Sequence, residues 1–438
     1  MCRLFGIDPC GGRRRHDGDA GVVGSVSMSA VARFPAIVPH RRSRVSDLGA
    51  GLLALAYFVF CVSDTLLTLD DDRSQIVKMS AFGLVFAAIL LRPRFHRLAV
   101  LALPIVVSLC IGMLLSFNFH AGIEELVRFL FPIAITVAIF PYRDRLDVLV
   151  KTFIGVVVSN DLFQLYFYVS YATGLPLFMP VRIDSGLFLR AQGWMGFFSE
   201  FSFINLCAFL LCRWYWSGPR AAIASWGFLF FALLGFSFKL FAALALYPFV
   251  RNVRDVRAWL AAAGIAGMML VLMAMGVLDS LLKVGMAKIL FYVVAGNSAR
   301  AESYRVMFES IRNGNLLGEG LGSFGGPASV KFSSPLYQLY HFDWYGLSGL
   351  LKTTDTFYPH LFVEMGAFGA LAWLVFVLGY GQGRCKLAVW FYIVGAFCFD
   401  NIFSMAFVSP SYVFSALLAM YAFSWGRPRV GPVHRVAR

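Results

Sequence analysis

Apolar residues in this chain fall into long, nearly uninterrupted runs separated by short polar turns, without the strict alternation of a half-buried strand. Runs of spanning or near-spanning length cover roughly 48–69, 75–91, 98–117, 123–140, 148–171, 197–212, 221–236, 239–250, 257–278, 358–379, 387–404 and 410–425. Crossing the hydrocarbon core takes about 20 such residues in a helix. The pattern therefore predicts an all-α integral membrane protein with about 12 transmembrane helices, nine within 48–278 and three within 358–425. The seventh and eighth runs are short, and read either as two spans or as one broken or re-entrant unit around Ser237-Phe238-Lys239.

Between the ninth and tenth runs lies a segment at 279–357, too long for a simple helix connector. Its first part, Ser280 to Val294, sets Lys283 and Lys288 among Leu, Met and Ile, the pattern of an amphipathic helix lying along a membrane surface. A second helix is expected from Ala299 to Arg312, with glycine-rich turns following at 314–326. A shorter loop is expected at about 172–196.

Arginine and lysine are retained on the cytoplasmic side of short loops. With the N-terminal segment inside, Arg92, Arg94 and Arg97, then Arg143 and Arg145, Arg213 and Arg220, Arg251, Arg254 and Arg257, Arg384 and Lys386, and Arg427 and Arg429 all fall inside. Every other turn is basic, as alternation requires, and the first outer turn is Asp70-Asp71-Asp72. The expected location is a bacterial inner membrane, with both termini cytoplasmic and the long loop periplasmic.

Composition agrees: 59% of the residues are hydrophobic, only 14% are charged and the mean hydropathy is +0.72, more apolar surface than a soluble domain can bury. The net charge of +14 resembles a nucleic-acid footprint until its basic residues are located in the turns and at both ends, where topology explains them; no nucleic-acid partner is implied. Residues 1–47, with Arg13, Arg14, Arg15, Arg41, Arg42 and Arg44 among Gly, Ser and Pro, read as a disordered basic cytoplasmic tail, or as untranslated sequence ahead of a start at Met28; 426–438 is a second tail. The eight cysteines contain no CxxC pair, so neither a disulfide framework nor a zinc site is expected.

Charges inside the apolar runs are lopsided. Asp64, Glu124, Glu125, Arg128, Asp161, Glu200, Lys239, Glu364 and Asp400 occupy the outer halves of their runs, and only Lys151 lies near a cytoplasmic end. Each costs about 2.5–3.5 kcal/mol at a helix centre, so each needs a partner or a purpose. They either pair with one another or share a hydrated outer cavity roofed by the long loop; the shared cavity accounts better for the set.

Three stretches then stand out: Arg190-Ala-Gln-Gly193 through Glu200; Arg300-Ala-Glu-Ser-Tyr304 through Gly314-Asn-Leu-Leu-Gly318-Glu-Gly320-Leu-Gly322; and Asp355-Thr-Phe-Tyr358-Pro-His360 leading to Glu364-Met-Gly366-Ala-Phe-Gly369. In this order, over about 185–375, they resemble the O-antigen ligase and Wzy-type polysaccharide polymerase superfamily. Arg190, Glu200, Lys239, Arg300, Asp355 and Glu364 occupy positions matching that family's motifs. Phe201 stands where the family often has Pro, and Asp355-Thr356 where ligases have His-Asn. The second departure favours polymerase over ligase.

The resemblance implies transfer of a glycan from an undecaprenyl-diphosphate carrier onto a lipid-linked repeat unit at the periplasmic face. Arg190 and Arg300 are assigned to the carrier diphosphate, with Lys239 and Arg305 as further candidates, because cations must neutralise the departing diphosphate. Asp355 is the candidate base; Glu200 and Glu364 orient the arginines or bind sugar hydroxyls, and His360 is a minor candidate, a lone histidine there being more often structural. No metal or cofactor is implied, since the loop lacks a clustered His or Asp ligand set. A chain-length regulator and a flippase are the partner proteins such an enzyme would have. Gly318-x-Gly320-x-Gly322 lacks a following Gly-Lys-Ser/Thr and is not a nucleotide loop, and Glu309 with Arg312 reads as a solvated pair. The alternatives are a ligase of the same superfamily and a flippase or other transporter; against transport, the two halves show no internal repeat.

Overall fold

The computed structural model describes residues 44–67, 69–179, 181, 190–216, 218–251, 264, 267, 299–342, 353–383 and 385–426. Residues 1–43 and 427–438 of the tails, the amphipathic helix expected at 280–294 and nearly all of the run at 257–278 lie outside the described residues, while Arg44 to Asp47, expected in the disordered tail, form the first turn of a helix.

Among those residues all regular structure is helical. The helices are α1 (Arg44–Leu66), α2 (Asp71–Leu91), α3 (Ala102–Leu114, entered through a 3-10 turn), α4 (Phe119–Ile139), α5 (Leu146–Thr173), α6 (Phe198–Leu210), α7 (Pro219–Leu234) and α8 (Phe238–Arg251). Then come α9 (Ala299–Arg312), the short α10 (Pro327–Lys331) and α11 (Leu336–Leu339), α12 (Phe357–Gly379), α13 (Leu387–Ile402) and α14 (Pro410–Trp425). Caps set several starts: the Asp70 carboxylate accepts from the amides of Asp72 and Arg73, and the Asn118 side chain from those of His120 and Ala121. The seventh and eighth runs form two helices, α7 and α8, joined by a three-residue turn, Gly235 to Ser237, in which Phe236 adopts φ +44°.

Four helical stretches, Arg44–Leu66, Asp72–Leu91, Arg97–Leu114 and Phe357–Gly379, are long and apolar enough to cross a membrane, and Pro219–Leu234 and Leu387–Ile402 are shorter apolar helices. This is the make-up of a multi-pass membrane protein. Side chains facing away from the bundle are apolar as well: Val100, Leu103 and Leu114 on the α3 segment, Ile223 and Trp226 on α7, and Phe368 on α12 are all exposed. Water would not favour such a surface, whereas acyl chains do.

Not every apolar run faces outward. Every residue of α14 from Pro410 to Ser424 is buried, and α14 packs against α4, α5, α6 and α13. It is the central post of the bundle. Its serines and tyrosines are satisfied inside: Ser415 Oγ lies 3.0 Å from Tyr57 Oη, and Tyr421 donates to the Tyr380 carbonyl at 2.6 Å.

The two ends of the bundle differ in charge. At one end Arg92 pairs with Asp144 at 2.7 Å, Arg145 with Asp47 at 3.0 Å, and Arg143 lies 4.8 Å from the centre of the Trp425 ring. Asp64, Glu125, Glu200, Lys239, Glu364 and Asp400 sit at the opposite helix ends.

Candidate functional site

Helix geometry gathers the outer-half charges into two groups. In the first, Lys239 on the first turn of α8 reaches across to Asp400 on the last turn of α13. Its ammonium lies 3.0 Å from the carboxylate and donates to the carbonyls of Asp400 and Phe403 at 3.0 and 3.3 Å. Tyr412 and Ser404 donate to the other Asp400 oxygen at 2.9 and 3.0 Å. Nearby, Asp64 at the end of α1 accepts from Ser411 and lies 3.6 Å from the Lys78 ammonium. Glu200 on the first turn of α6 is buried within the field of both Asp64 and Asp400, and its Oε2 has no hydrogen-bond partner. A void of about 10 Å³ beside Ser202, Ser237, Lys239 and Asp400 has room for a single water.

Arg300 and Asp355 form the outer layer of this group. They pair at 3.1 Å, both well exposed, and both act electrostatically on Lys239. Asp355 has φ +55°, a left-handed conformation that aspartate tolerates better than most residues, and its amide and carboxylate are both tied to the Thr353 hydroxyl at 3.1 Å. Helix α9, which carries Arg300, is fastened to α12 by the Ser303–Thr356 hydroxyl pair at 2.7 Å and to the end of α13 by Tyr304 donating to the Ile402 carbonyl at 2.9 Å.

Arg190 enters from the side. Its Nε donates to the Gly235 carbonyl at 3.2 Å and its guanidinium lies 4.4 Å from the centre of the Phe198 ring. The segment that presents it is clamped by α5: Gln164 accepts from the amides of Gln192 and Gly193 at 2.9 Å, and Asn160 from that of Trp194 at 2.8 Å. Arg190 is thereby fixed to the α7–α8 turn that also presents Lys239. Beginning at Tyr304, one turn after Arg300 on α9, an open apolar recess of about 550 Å³ lies between α9, α12 and α13. Tyr304, Met307, Tyr358, Phe362, Phe399 and Ile402 line it.

The second group is closed. His360 and Glu364, one turn apart on α12, meet Glu125 of α4, and all three are fully buried. The glycine-rich segment 318–326 lies over them. Gly318 and Gly366, the glycines of the second and third stretches, pack backbone to backbone: a Cβ on Gly318 would lie 2.3 Å from the Glu364 carbonyl oxygen, and one on Gly366 would lie 2.2 Å from that of Leu316. Gly366 kinks α12 with φ +70°, and the Glu319 amide donates to the Val363 carbonyl at 2.8 Å, supplying a donor where the helix ladder is broken. Tyr337 beneath the segment accepts from the Gly325 amide at 2.9 Å; burial pushes its hydroxyl pKa up, so it stays neutral.

Of the residues singled out from sequence, the structure brings together Arg300, Asp355, Lys239 and, through Asp400, Glu200; Arg190 adjoins them. His360 and Glu364 belong to the closed group. The fork of Arg305 is engaged by Glu302, by Glu309 at 2.7 Å and by the Tyr340 carbonyl at 2.6 Å, so this arginine fastens α9 to the chain after α11. Mutual pairing thus accounts for most of the charges in the apolar runs. Sequence reasoning gives Asp400 and Glu125 no role. Neither Asp400 nor Lys239 has an opposite charge within four residues, and that shared lack was the available signal that they pair across helices. The expectation of no metal ligands drew on the loop alone, whereas Glu125, His360 and Glu364 place three potential donor atoms within 4.8 Å of one another.

Comparison with protein-family models, with curated proteins and with solved structures gives no match for this chain.

Proposed function

We propose that this protein is a membrane-embedded glycosyltransferase that moves a glycan from an undecaprenyl-diphosphate carrier onto a lipid-linked repeat unit at the outer face of a bacterial inner membrane. In this reading about 12 spans cross the bilayer, both termini are cytoplasmic, and the Arg300–Asp355 end faces the periplasm. One observation carries it: an exposed arginine–carboxylate pair stands beside a partly buried lysine, and one helix turn beyond Arg300, at Tyr304, begins an open apolar recess of about 550 Å³ between helices. A lipid with a long hydrocarbon tail and an anionic head has that same division of character.

The acceptor hydroxyl oxygen bonds to the anomeric carbon as the bond from that carbon to the carrier diphosphate breaks. The bonding pair leaves with the diphosphate, whose charge Arg300 and Lys239 offset, and the hydroxyl proton passes to Asp355. Diphosphate is a good leaving group, so no general acid is needed. Arg190 is the further cation on the α8 side. Asp400 holds Lys239 in place by charge.

The test is deletion of the gene followed by chromatography of the undecaprenyl-linked glycans and the secreted polysaccharide, with and without complementation. Loss of polymer with single repeat units accumulating on the outer leaflet is the expected result. Lipid-linked polymer missing only its final acceptor would make the protein a ligase, and single units trapped on the inner leaflet would replace the proposal with a flippase.

A further inference from the structure

Glu125, His360 and Glu364 are anchored in the same way, each with one polar atom tied to the backbone of 324–328. The Phe324 amide donates to Glu364 Oε1 at 3.0 Å and the Ala328 amide to Glu125 Oε1 at 3.2 Å, while His360 Nδ1 lies 2.8 Å from the Phe324 carbonyl oxygen. The Gly322 amide also faces the Glu364 carboxylate, and Arg128 pairs with Glu125 through Oε1. The remaining atoms, Glu125 Oε2, His360 Nε2 and Glu364 Oε2, are buried and have no hydrogen-bond partner.

That arrangement fixes the histidine's chemistry. Only a protonated Nδ1 can face a carbonyl oxygen at 2.8 Å, so in the neutral ring Nε2 carries a lone pair. This lone pair points at Glu125 Oε2, 3.3 Å away and itself an acceptor. Two acceptors at that distance need a proton or a metal ion between them.

We propose that Glu125, His360 and Glu364 bind a divalent transition-metal ion, with zinc the best match to one imidazole and two carboxylates. Ligand bonds of about 2.0–2.2 Å at tetrahedral angles separate two donors by about 3.2–3.6 Å, and Nε2 and Oε2 stand 3.3 Å apart. The third donor lies within 4.8 Å of the other two and would close on the ion by rotation of the Glu364 carboxylate about its soft terminal torsion. The backbone contacts to 324–328 are the outer-shell bonds that orient metal ligands, including the ring N–H given to a carbonyl. Gly326 leaves the space: a Cβ there would lie 2.3 Å from Glu125 Oε1 and 2.4 Å from His360 Cε1. Full burial assigns the ion a structural task, stapling α4 and α12 to the glycine-rich segment. Gly325 in that segment accepts from the Thr354 amide at 3.1 Å, one residue before Asp355. The inference is independent of the transferase reading.

The experiment uses full-length, tag-free protein in detergent, stripped with a chelator and then titrated with Zn²⁺ alone or Mn²⁺ alone, with bound metal measured by mass spectrometry and Tm measured in parallel. Wild type should take up about one Zn²⁺ per chain and gain Tm on binding, since a ligand held by the folded state alone stabilises it. Glu364→Gln keeps the shape and an oxygen for the Phe324 amide, and should lose affinity at least about tenfold together with the Tm gain. Glu309→Gln, outside the cluster, should take up Zn²⁺ with wild-type affinity and show the wild-type gain in Tm on binding. Wild-type protein that takes up neither ion, with Tm unmoved, would overturn the proposal whether or not the variants fold, and would leave His360 as an imidazolium between two carboxylates.

Discussion

Asp355 and Gly318 both adopt left-handed backbone, for different reasons. At Asp355, φ +55° presents a carboxylate to Arg300, and asparagine tolerates the same conformation. Asp355→Asn should therefore fold and insert as wild type while polymer formation falls to background; full polymer yield from this variant would remove Asp355 as the base. Arg300→Lys keeps the charge but loses the planar fork, and polymer yield should drop about tenfold or more. At Gly318 the reason is space. Gly314 has a similar φ, +87° against +95°, but a Cβ there meets nothing within 4 Å, whereas at Gly318 it meets backbone at 2.3 Å. Gly314→Ala should cost only the conformational penalty, about 1–3 kcal/mol. Gly318→Ala must also push α12 away from the loop, so its Tm in detergent should fall well below that of Gly314→Ala; equal values would mean the two segments are not packed as described.

Helix boundaries were legible because the apolar runs and their stops are local: 410–425 and 358–379 match α14 and α12 to within a residue, and the helix expected from Ala299 to Arg312 is present. What each helix faces was not legible. A run of apolar residues suits lipid and protein interior equally, so the sequence does not separate α14, the central post, from α3, which turns one face outward. The candidate site divides along the same line. Residues joined by sequence spacing, such as His360 and Glu364, were readable, whereas Glu125–His360 and Lys239–Asp400 depend on helices brought together by packing. Leu418 and Leu103 test this distinction. Leu418→Ala, at a fully buried site on α14, should cost about 2–5 kcal/mol through the cavity it leaves. Leu103→Ala, at a position 69% exposed, should cost less than about 1 kcal/mol, because its side chain exchanges one apolar contact for another. Equal losses in unfolding measurements would place α14 at the periphery.

At the scale of the whole molecule, the separation of charge between the ends of the bundle combines two independent requirements. Basic residues collect at the end where Arg92, Arg143 and Arg145 meet Asp144, Trp425 and Asp47, as retention on the cytoplasmic side demands. Polar groups that chemistry would use collect at the other end, where neither Lys239 nor Glu200 has to be carried to the bilayer centre. The proposed cytoplasmic start and finish require an even number of spans. Cysteine replacements at two exposed sites read this orientation directly. A thiol at Lys331→Cys, beside the Arg128–Glu124 pair, should react with a membrane-impermeant maleimide in cells whose outer membrane alone is permeabilised. One at Arg94→Cys, in the turn after α2, should react only once the inner membrane is opened as well. The reverse pattern would put Arg300 and Asp355 in the cytoplasm, where a lipid-linked unit that has already crossed the membrane could not reach them, and would exclude polymerisation at the outer face.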